Sequence, residues 1–286
     1  MTTYAVTAAT GHLGRLAIDA LLERVPASEV VAIVRDAGKA QEIAARGVDV
    51  RLAAYDQPEA LHAALEGVDR LLLISGSEVG QRVQQHRNVI DAAKAGGTAR
   101  VVYTSAPHAT TSALVLAPEH KATEEYLTSS GLAYTIVRNN WYTENYVRDV
   151  QQAAQTGEIV GAYGEGRVAS ATRADLAEGA VVALLGDEHA GKVYEFSGEY
   201  AWSFPELAAA ASAILGKPVV YRDVDGATLV EELTSAGVPE EAAGFFAAIA
   251  ANISDGLLAD ATRDLATLLG RPTTPLEQGL RAAFTS

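Results

Sequence analysis

Near the N-terminus an apolar run, Tyr4, Ala5, Val6 and Thr7, passes through Ala8, Ala9 and Thr10 into a segment whose Leu13, Leu16, Ala17, Ala20 and Leu21 recur at helical spacing. A strand that turns so directly into a helix points to βα architecture. The first turn of a helix leaves backbone N–H groups unpaired and presents the positive end of the helix dipole. Thr10, Gly11, His12, Leu13 and Gly14 are therefore candidates to cradle a pyrophosphate, with the two glycines letting the ligand approach the backbone and the helix pack on its strand. A glycine pattern of this kind also fits an ordinary strand-to-helix turn, so the rest of the chain decides between the two.

The alternation continues. Residues 29–35 (EVVAIVR) form a nearly continuous apolar run of the kind buried on both faces of a parallel sheet. A helix follows over about 37–46, stopped by Gly47, then a strand carried by Val48, Val50 and Leu52, and a short helix over 58–65 with Pro58 in its first turn. Residues 69–75 (DRLLLIS) read as a fourth strand, followed by a helix in which Val79, Val83, His86, Ile90 and Ala93 share one face. Residues 100–105 (RVVYTS) and 133–137 (AYTIV) read as the fifth and sixth strands, separated by a polar stretch over 106–118 and a helix over about 120–130. Six β-then-α units predict an α/β fold, a doubly wound, Rossmann-like parallel sheet with ligands at the carboxyl ends of its strands.

Beyond Arg138 the rhythm changes. Helices are expected over 142–155, 173–185 and 204–215, extended segments over 159–163, 193–197 and 219–224, and interrupted helix from Thr228 on. This divides the chain into a dinucleotide-binding domain over residues 1–140 and a smaller, mostly helical substrate-side lobe over 141–286, partly interwoven with the sheet.

Composition closes off other classes. With 286 residues, 49% of them hydrophobic, the chain can bury a large core. A formal net charge of −14 and the lack of a Lys/Arg cluster argue against nucleic acid or an anionic membrane as partner. Cysteine is absent, which excludes thiolate metal sites and a Cys nucleophile, and the histidines show no metal-ligand spacing. Met1, Thr2 and Thr3 lead straight into the first strand, and no apolar run is long enough to span a bilayer, so the expectation is a cytoplasmic protein.

Eight segments in order carry a resemblance: TAATGHLG (7–14), VPASEVVAIVRD (25–36), LLLISGSEVGQR (71–82), QHRNVIDAAKAGG (85–97), YTS (103–105), YTIVRNNWYTENY (134–146), ASATRADLA (169–177) and LLGRPTTPLEQGL (268–280). On these the chain resembles the NmrA-like branch of the atypical short-chain dehydrogenase/reductases. Within that branch it is similar to the type 2 NAD(P)H:quinone oxidoreductases and their triphenylmethane-reductase relatives. The resemblance implies a dinucleotide-binding sheet, a substrate cleft between sheet and C-terminal lobe, and reduction of a quinone or similar conjugated electrophile by NADPH, with NADH as a possible substitute. Two positions depart from the family pattern: Ala8 stands where the turn usually has its first glycine, and Ala54 where an Asp near the adenine is common. If position 8 needs a positive φ, alanine costs roughly 1 kcal/mol there.

The residues sharpen this. Arg35 ends the second strand at the distance where NADP enzymes place a 2′-phosphate ligand, and Lys39 adds charge nearby. The alternatives are that Asp36 serves a ribose diol, or that the pair is a solvated surface with Asp36 capping the next helix. Ile74, Ser75 and Gly76 after the fourth strand, with Thr104 and Ser105 on the fifth, are expected beside the nicotinamide ribose. No Tyr has a Lys four residues later, so the usual short-chain dehydrogenase acid is missing and alcohol oxidation is disfavoured. His120 is the candidate replacement, with Lys121 beside it at about the place of a lysine in isoflavone-reductase-like relatives; the alternative for His120 is a solvent-facing helix start. Asn139, Asn140 and Tyr142 can hydrogen-bond an acceptor oxygen, and Trp141 offers a flat face to a ring or else anchors the core. The leading expectation is an oxidoreductase acting on a small quinone-like molecule as a monomer or homodimer. Its rival is a redox-sensing NmrA-like regulator that binds the dinucleotide without turnover.

Overall fold

The computed structural model describes residues 1–285. The first half runs β1 (Tyr4–Val6), α1 (His12–Leu22), β2 (Val30–Val34), α2 (Gln41–Ala45), β3 (Asp49–Leu52), α3 (Pro58–Leu65), β4 (Arg70–Leu73), α4 (Arg82–Ala95), β5 (Arg100–Ser105), α5 (Ala117–Ser129) and β6 (Ala133–Asn139). There follow α6 (Val147–Thr156), β7 (Glu158–Gly161), β8 (Arg167–Val168), α7 (Arg173–Leu185), β9 (Val193–Phe196), β10 (Trp202–Ser203), α8 (Phe204–Leu215), β11 (Val220–Asp223), α9 (Gly226–Ser235), α10 (Glu240–Ser254), α11 (Asp264–Leu269) and α12 (Leu276–Thr285).

These elements gather into two compact units. One comprises Met1–Thr110, Leu116–Asn139 and Arg173–Glu195, the other Thr111–Val115, Asn140–Thr172 and the chain from Phe196 on. The first unit holds a sheet of order β3-β2-β1-β4-β5-β6-β9. The pairings from β3 through β6 are parallel, with Tyr4 opposite both Val30 and Arg70. This is the expected doubly wound α/β fold, with a seventh strand that the six-unit rhythm did not reveal. β9 reaches the sheet only after the chain has made part of the second unit and returned through α7, a detour that hydrophobic spacing does not mark.

Period-two alternation assigns the strand side chains to two faces. Ala5, Val31, Ile33, Leu71, Leu73, Val101 and Tyr103 join Leu61, Leu65, Val89, Ile90 and Leu127 in one buried cluster beneath α3, α4 and α5. The opposite face is covered by α1, which contacts β1 and β2 and packs on α7, while α7 lies against β4, β5 and β6. Strand order reverses between β1 and β4, so the crevice a ligand would use opens at their carboxyl ends.

The amino ends of β4 and β5 do a different job. Arg70 and the buried Arg100 donate into the carbonyls at the end of α7 and just beyond it: Arg70 Nη1 to Leu184 O at 3.0 Å, Arg100 Nη2 to Ala183 O at 3.1 Å and Nη1 to Gly186 O at 2.6 Å. Guanidinium groups at a helix C-terminus satisfy orphan acceptors and favour the negative dipole end. One expectation shifts here: α4 begins at Arg82, and Val79 lies outside it, exposed in the preceding turn.

In the second unit β7 pairs with β11 in parallel and β8 with β10 antiparallel. α8 starts with a capping box between Ser203 and Glu206. Its Phe204 stacks on Tyr163 at 3.6 Å between ring centroids, and Tyr146 meets Trp202 edge-on at 4.9 Å. Among the described residues no helix is long and apolar enough to cross a membrane.

Candidate functional site

The turn between β1 and α1 has the geometry its sequence foretold. Gly14 lies so close to the strand that a Cβ there would sit 2.3 Å from the Ala8 carbonyl oxygen. The turn closes through a hydrogen bond from Gly11 N–H to Ala8 O at 2.9 Å. Ala8 itself takes φ +49°, the left-handed conformation a glycine would adopt freely. No side chain caps α1, and its first turn contains no acidic residue, so its leading N–H groups face outward beside Thr10, Gly11 and His12. Leu13 is buried and anchors the turn from below. Arg15, which the sequence reading did not single out, steadies it by donating Nε–H to Thr10 O at 3.2 Å and Nη2–H to Lys39 O at 2.9 Å.

Thr7 and Tyr55 tie three strand ends together. Ile74 N–H donates to Thr7 Oγ1 at 3.0 Å, and the Tyr55 hydroxyl lies 2.6 Å from that oxygen and 2.7 Å from Ile74 O. Tyr55 follows β3 directly after Ala54. The loop beyond Ile74 is then fixed from inside. Ser75 N–H donates to Thr104 Oγ1 at 2.9 Å, and Gly76 N–H to His86 Nε2, also at 2.9 Å. His86 Nδ1 meets Thr123 Oγ1 at 3.0 Å, and burial pushes the imidazole down to about 3, so it is neutral with its proton on Nδ1. Arg82 donates Nε–H to Gly76 O at 2.7 Å and pairs with Glu119, whose other oxygen accepts from Gly80 N–H.

At the ends of β5 and β6, Ser105 donates to Glu124 at 2.6 Å, and Glu124 takes a two-pronged contact from Arg138, which also reaches Glu195. Ser105 is thereby engaged within the protein. His120 is 6% exposed, its Nδ1 2.8 Å from the buried Tyr103 hydroxyl. It is neither the solvent-facing helix start nor a group poised near neutrality: burial pushes its imidazole down to about 3. The Tyr103 hydroxyl can donate to that nitrogen or accept from it, so the contact holds the ring in place in either neutral tautomer. Lys121, the next residue on the helix, is exposed on another face.

Asn139 and Asn140 are adjacent in sequence and opposite in circumstance. Asn139 is 7% exposed, and neither its Oδ1 nor its Nδ2 has a hydrogen-bond partner among the described residues. Asn140 is consumed locally: Nδ2 donates to Leu258 O at 3.2 Å and Oδ1 accepts from Trp141 N–H at 2.6 Å. Trp141 is half-buried, and Tyr142 bridges to Ala171 through the backbone. Arg35, 74% exposed, pairs with Glu78 at 3.2 Å, while Asp36 accepts from Gly38 N–H at 2.8 Å, the local cap considered from sequence.

A dinucleotide fits these residues. An orphaned amide in a 93%-buried side chain costs about 1–3 kcal/mol per unsatisfied group unless a ligand completes it. The uncapped start of α1 and the glycine approach would give a pyrophosphate its donors, and Arg35 would be a cation within the first unit for a 2′-phosphate.

Two predictions test this geometry. Ala8→Gly removes the left-handed strain and should stabilise the fold by about 0.5–1 kcal/mol in urea unfolding; a loss of stability would show that the turn does not strain Ala8. Because the folded pKa of His120 lies below its unfolded value, its contribution is present above about pH 6.5 and is lost as pH falls toward 3. Between pH 7 and pH 5 that amounts to about 2 kcal/mol. Asp149, whose carboxyl burial pushes up to about 7, works in the opposite direction, so the comparison is with a variant. His120→Asn should lose about 2 kcal/mol less than the wild type on acidification; equal losses would place the titration elsewhere.

Comparison with known proteins gives the family of the chain. A family model described as NAD(P)H-binding matches residues 8–187. Quinone oxidoreductase 2 of Escherichia coli is 47% identical over 280 residues, covering 98% of each chain. The crystal structure of the Escherichia coli NADPH-dependent quinone oxidoreductase complexed with NADPH has a TM-score of 0.95 at 47% identity, covering 99% of this chain and 100% of the other. Triphenylmethane reductase of Citrobacter sp., complexed with NADP(H), has a TM-score of 0.94 at 39% identity over 98% of this chain and 100% of the other. The chain therefore belongs to the NmrA-like NAD(P)H-binding family.

Proposed function

We propose that this chain is an NADPH-dependent oxidoreductase that reduces a quinone or a similar conjugated electrophile. The observation that carries the reading is its full-length likeness to a quinone oxidoreductase, in a chain whose sheet leaves an uncapped helix start at the crevice between β1 and β4.

Bound NADPH would supply the hydride. The chain's own contribution is to hold and orient. The first-turn N–H groups of α1, with Thr10, Gly11, His12, Leu13 and Gly14, take the pyrophosphate, and Arg35 takes the 2′-phosphate. Ile74, Ser75 and Gly76 form a backbone rail whose position is set by Thr104 and His86. Asn139 presents its amide to the ligand, and His120 offers a neutral imidazole as a hydrogen-bonding group. Burial raises the Tyr103 hydroxyl far above its ordinary value, so it orients His120 rather than supplying protons. A quinone suits such a site, because its reduction yields an aromatic product and positioning supplies much of the rate. In the second unit Trp141 is the flat face for the acceptor ring and Tyr142 a hydrogen-bond donor to it. The reading includes a cytoplasmic location and a monomer or homodimer.

Following near-ultraviolet absorbance of NADPH and NADH with a panel of quinones should show faster consumption of NADPH. Arg35→Ala should raise KM for NADPH about tenfold or more while leaving that for NADH nearly unchanged. Binding of cofactor without consumption by any acceptor would instead favour the regulator, and equal losses for both cofactors would remove Arg35 from the 2′-phosphate.

A further inference from the structure

Arg35 has one hydrogen-bond partner among the described residues. Its Nη1 donates to Glu78 Oε1 at 3.2 Å. The two residues come from different strand ends: Arg35 follows β2, and Glu78 lies in the turn after β4. Those strands flank β1 on either side. An exposed ion pair of this kind usually shifts freely, but Glu78 is not free to shift. Its second oxygen, Oε2, accepts from Gln85 Nε2 at 2.7 Å, and Gln85 is only 8% exposed. The carbonyl of Glu78 also accepts from Gln81 N–H at 3.1 Å and Arg82 N–H at 2.9 Å, which pins the backbone at the start of α4. A buried amide and a fixed turn thus hold a carboxylate against the guanidinium assigned above to the 2′-phosphate.

We propose that Glu78 competes with the cofactor's 2′-phosphate for Arg35, and so limits how strongly the protein prefers NADPH over NADH. The inference rests on the assignment of Arg35 made under the proposed function. Glu78 holds the Nη1 end of the Arg35 fork, so a 2′-phosphate that takes both Nη groups in the paired geometry must displace it. The 2′-phosphate displaces a partner that stays nearby on Gln85, and the two negative charges then repel across a short, partly solvated distance. NADH brings no phosphate and leaves the Arg35–Glu78 pair in place. The effect is thus a selective penalty on the phosphorylated cofactor.

The test uses the full-length protein and two fragments that differ only in the phosphate in question, adenosine 2′,5′-bisphosphate and AMP, titrated calorimetrically at low salt alongside NADPH and NADH. Glu78→Gln keeps the contact with Gln85 and removes the charge. It should tighten adenosine 2′,5′-bisphosphate and NADPH by about three- to tenfold and leave AMP and NADH unchanged, with the gain shrinking as salt is added. On an Arg35→Ala background the same substitution should give a smaller gain, because only the repulsion between the two anions is left to relieve. If Arg35→Ala abolishes the preference for the 2′-phosphate but Glu78→Gln leaves it unchanged or weakens it, the competition is refuted while the Arg35 assignment stands. If Arg35→Ala leaves the preference intact, the assignment itself is overturned, and this proposal with it.

Discussion

The contact on which the rest of the sheet unit depends is the approach of Gly14 to the Ala8 carbonyl. A side chain at position 14 would collide with the strand backbone, so α1 can lie against β1 only because nothing projects there. That closeness lets the first turn of the helix open toward the ligand crevice with its N–H groups unspent. It also bends the chain so sharply that Ala8 is held in a left-handed conformation, at a cost of about 1 kcal/mol. The turn tolerates this because both its flanks are secured, by Thr7 through Ile74 N–H and Tyr55, and by Arg15 through the carbonyls of Thr10 and Lys39.

Polar groups are divided between the two edges of the sheet. At the amino ends Arg70 and Arg100 stop α7 by filling its last carbonyls. At the carboxyl ends almost every polar side chain answers another: Ser105 and Arg138 meet at Glu124, His86 holds Gly76, and Arg82 with Glu119 holds the following turn. Losing one member of a buried pair such as Arg138–Glu124 typically costs about 3–5 kcal/mol, so these groups are a rigid frame rather than reagents. Asn139 stands out against that background because its amide has no partner among the described residues.

Much of this was legible in the sequence because local rules governed it. Helices α7 and α8 occupy the residues that their apolar spacing and bounding signals predicted, the glycine turn was read from the linear pattern, and Ala8, marked by its departure from the family's turn, has the positive φ that the glycine there would take freely. The illegible parts depend on partners distant in sequence. Nothing near His120 announces Tyr103, seventeen residues earlier, whose hydroxyl holds the buried imidazole. Two neighbouring asparagines look alike until Leu258 claims one of them. Val79 matched a helical stripe by spacing, yet hydrogen bonds to the Glu78 carbonyl make a turn there and delay α4 to Arg82. The return of β9 to the sheet is likewise set by pairing with β6 rather than by any local signal.

The central claim is that the β1–α1 turn and the β4 loop together receive the dinucleotide. It is tested most directly by backbone amide spectra of the isotopically labelled protein during titration with NADPH and with NADH. The account predicts that the largest changes fall on the amides of Gly11 through Gly14 and on Ser75 and Gly76 for both cofactors, with the Arg35 side-chain resonance moving for NADPH alone. Saturable binding that leaves those amides unmoved would contradict it.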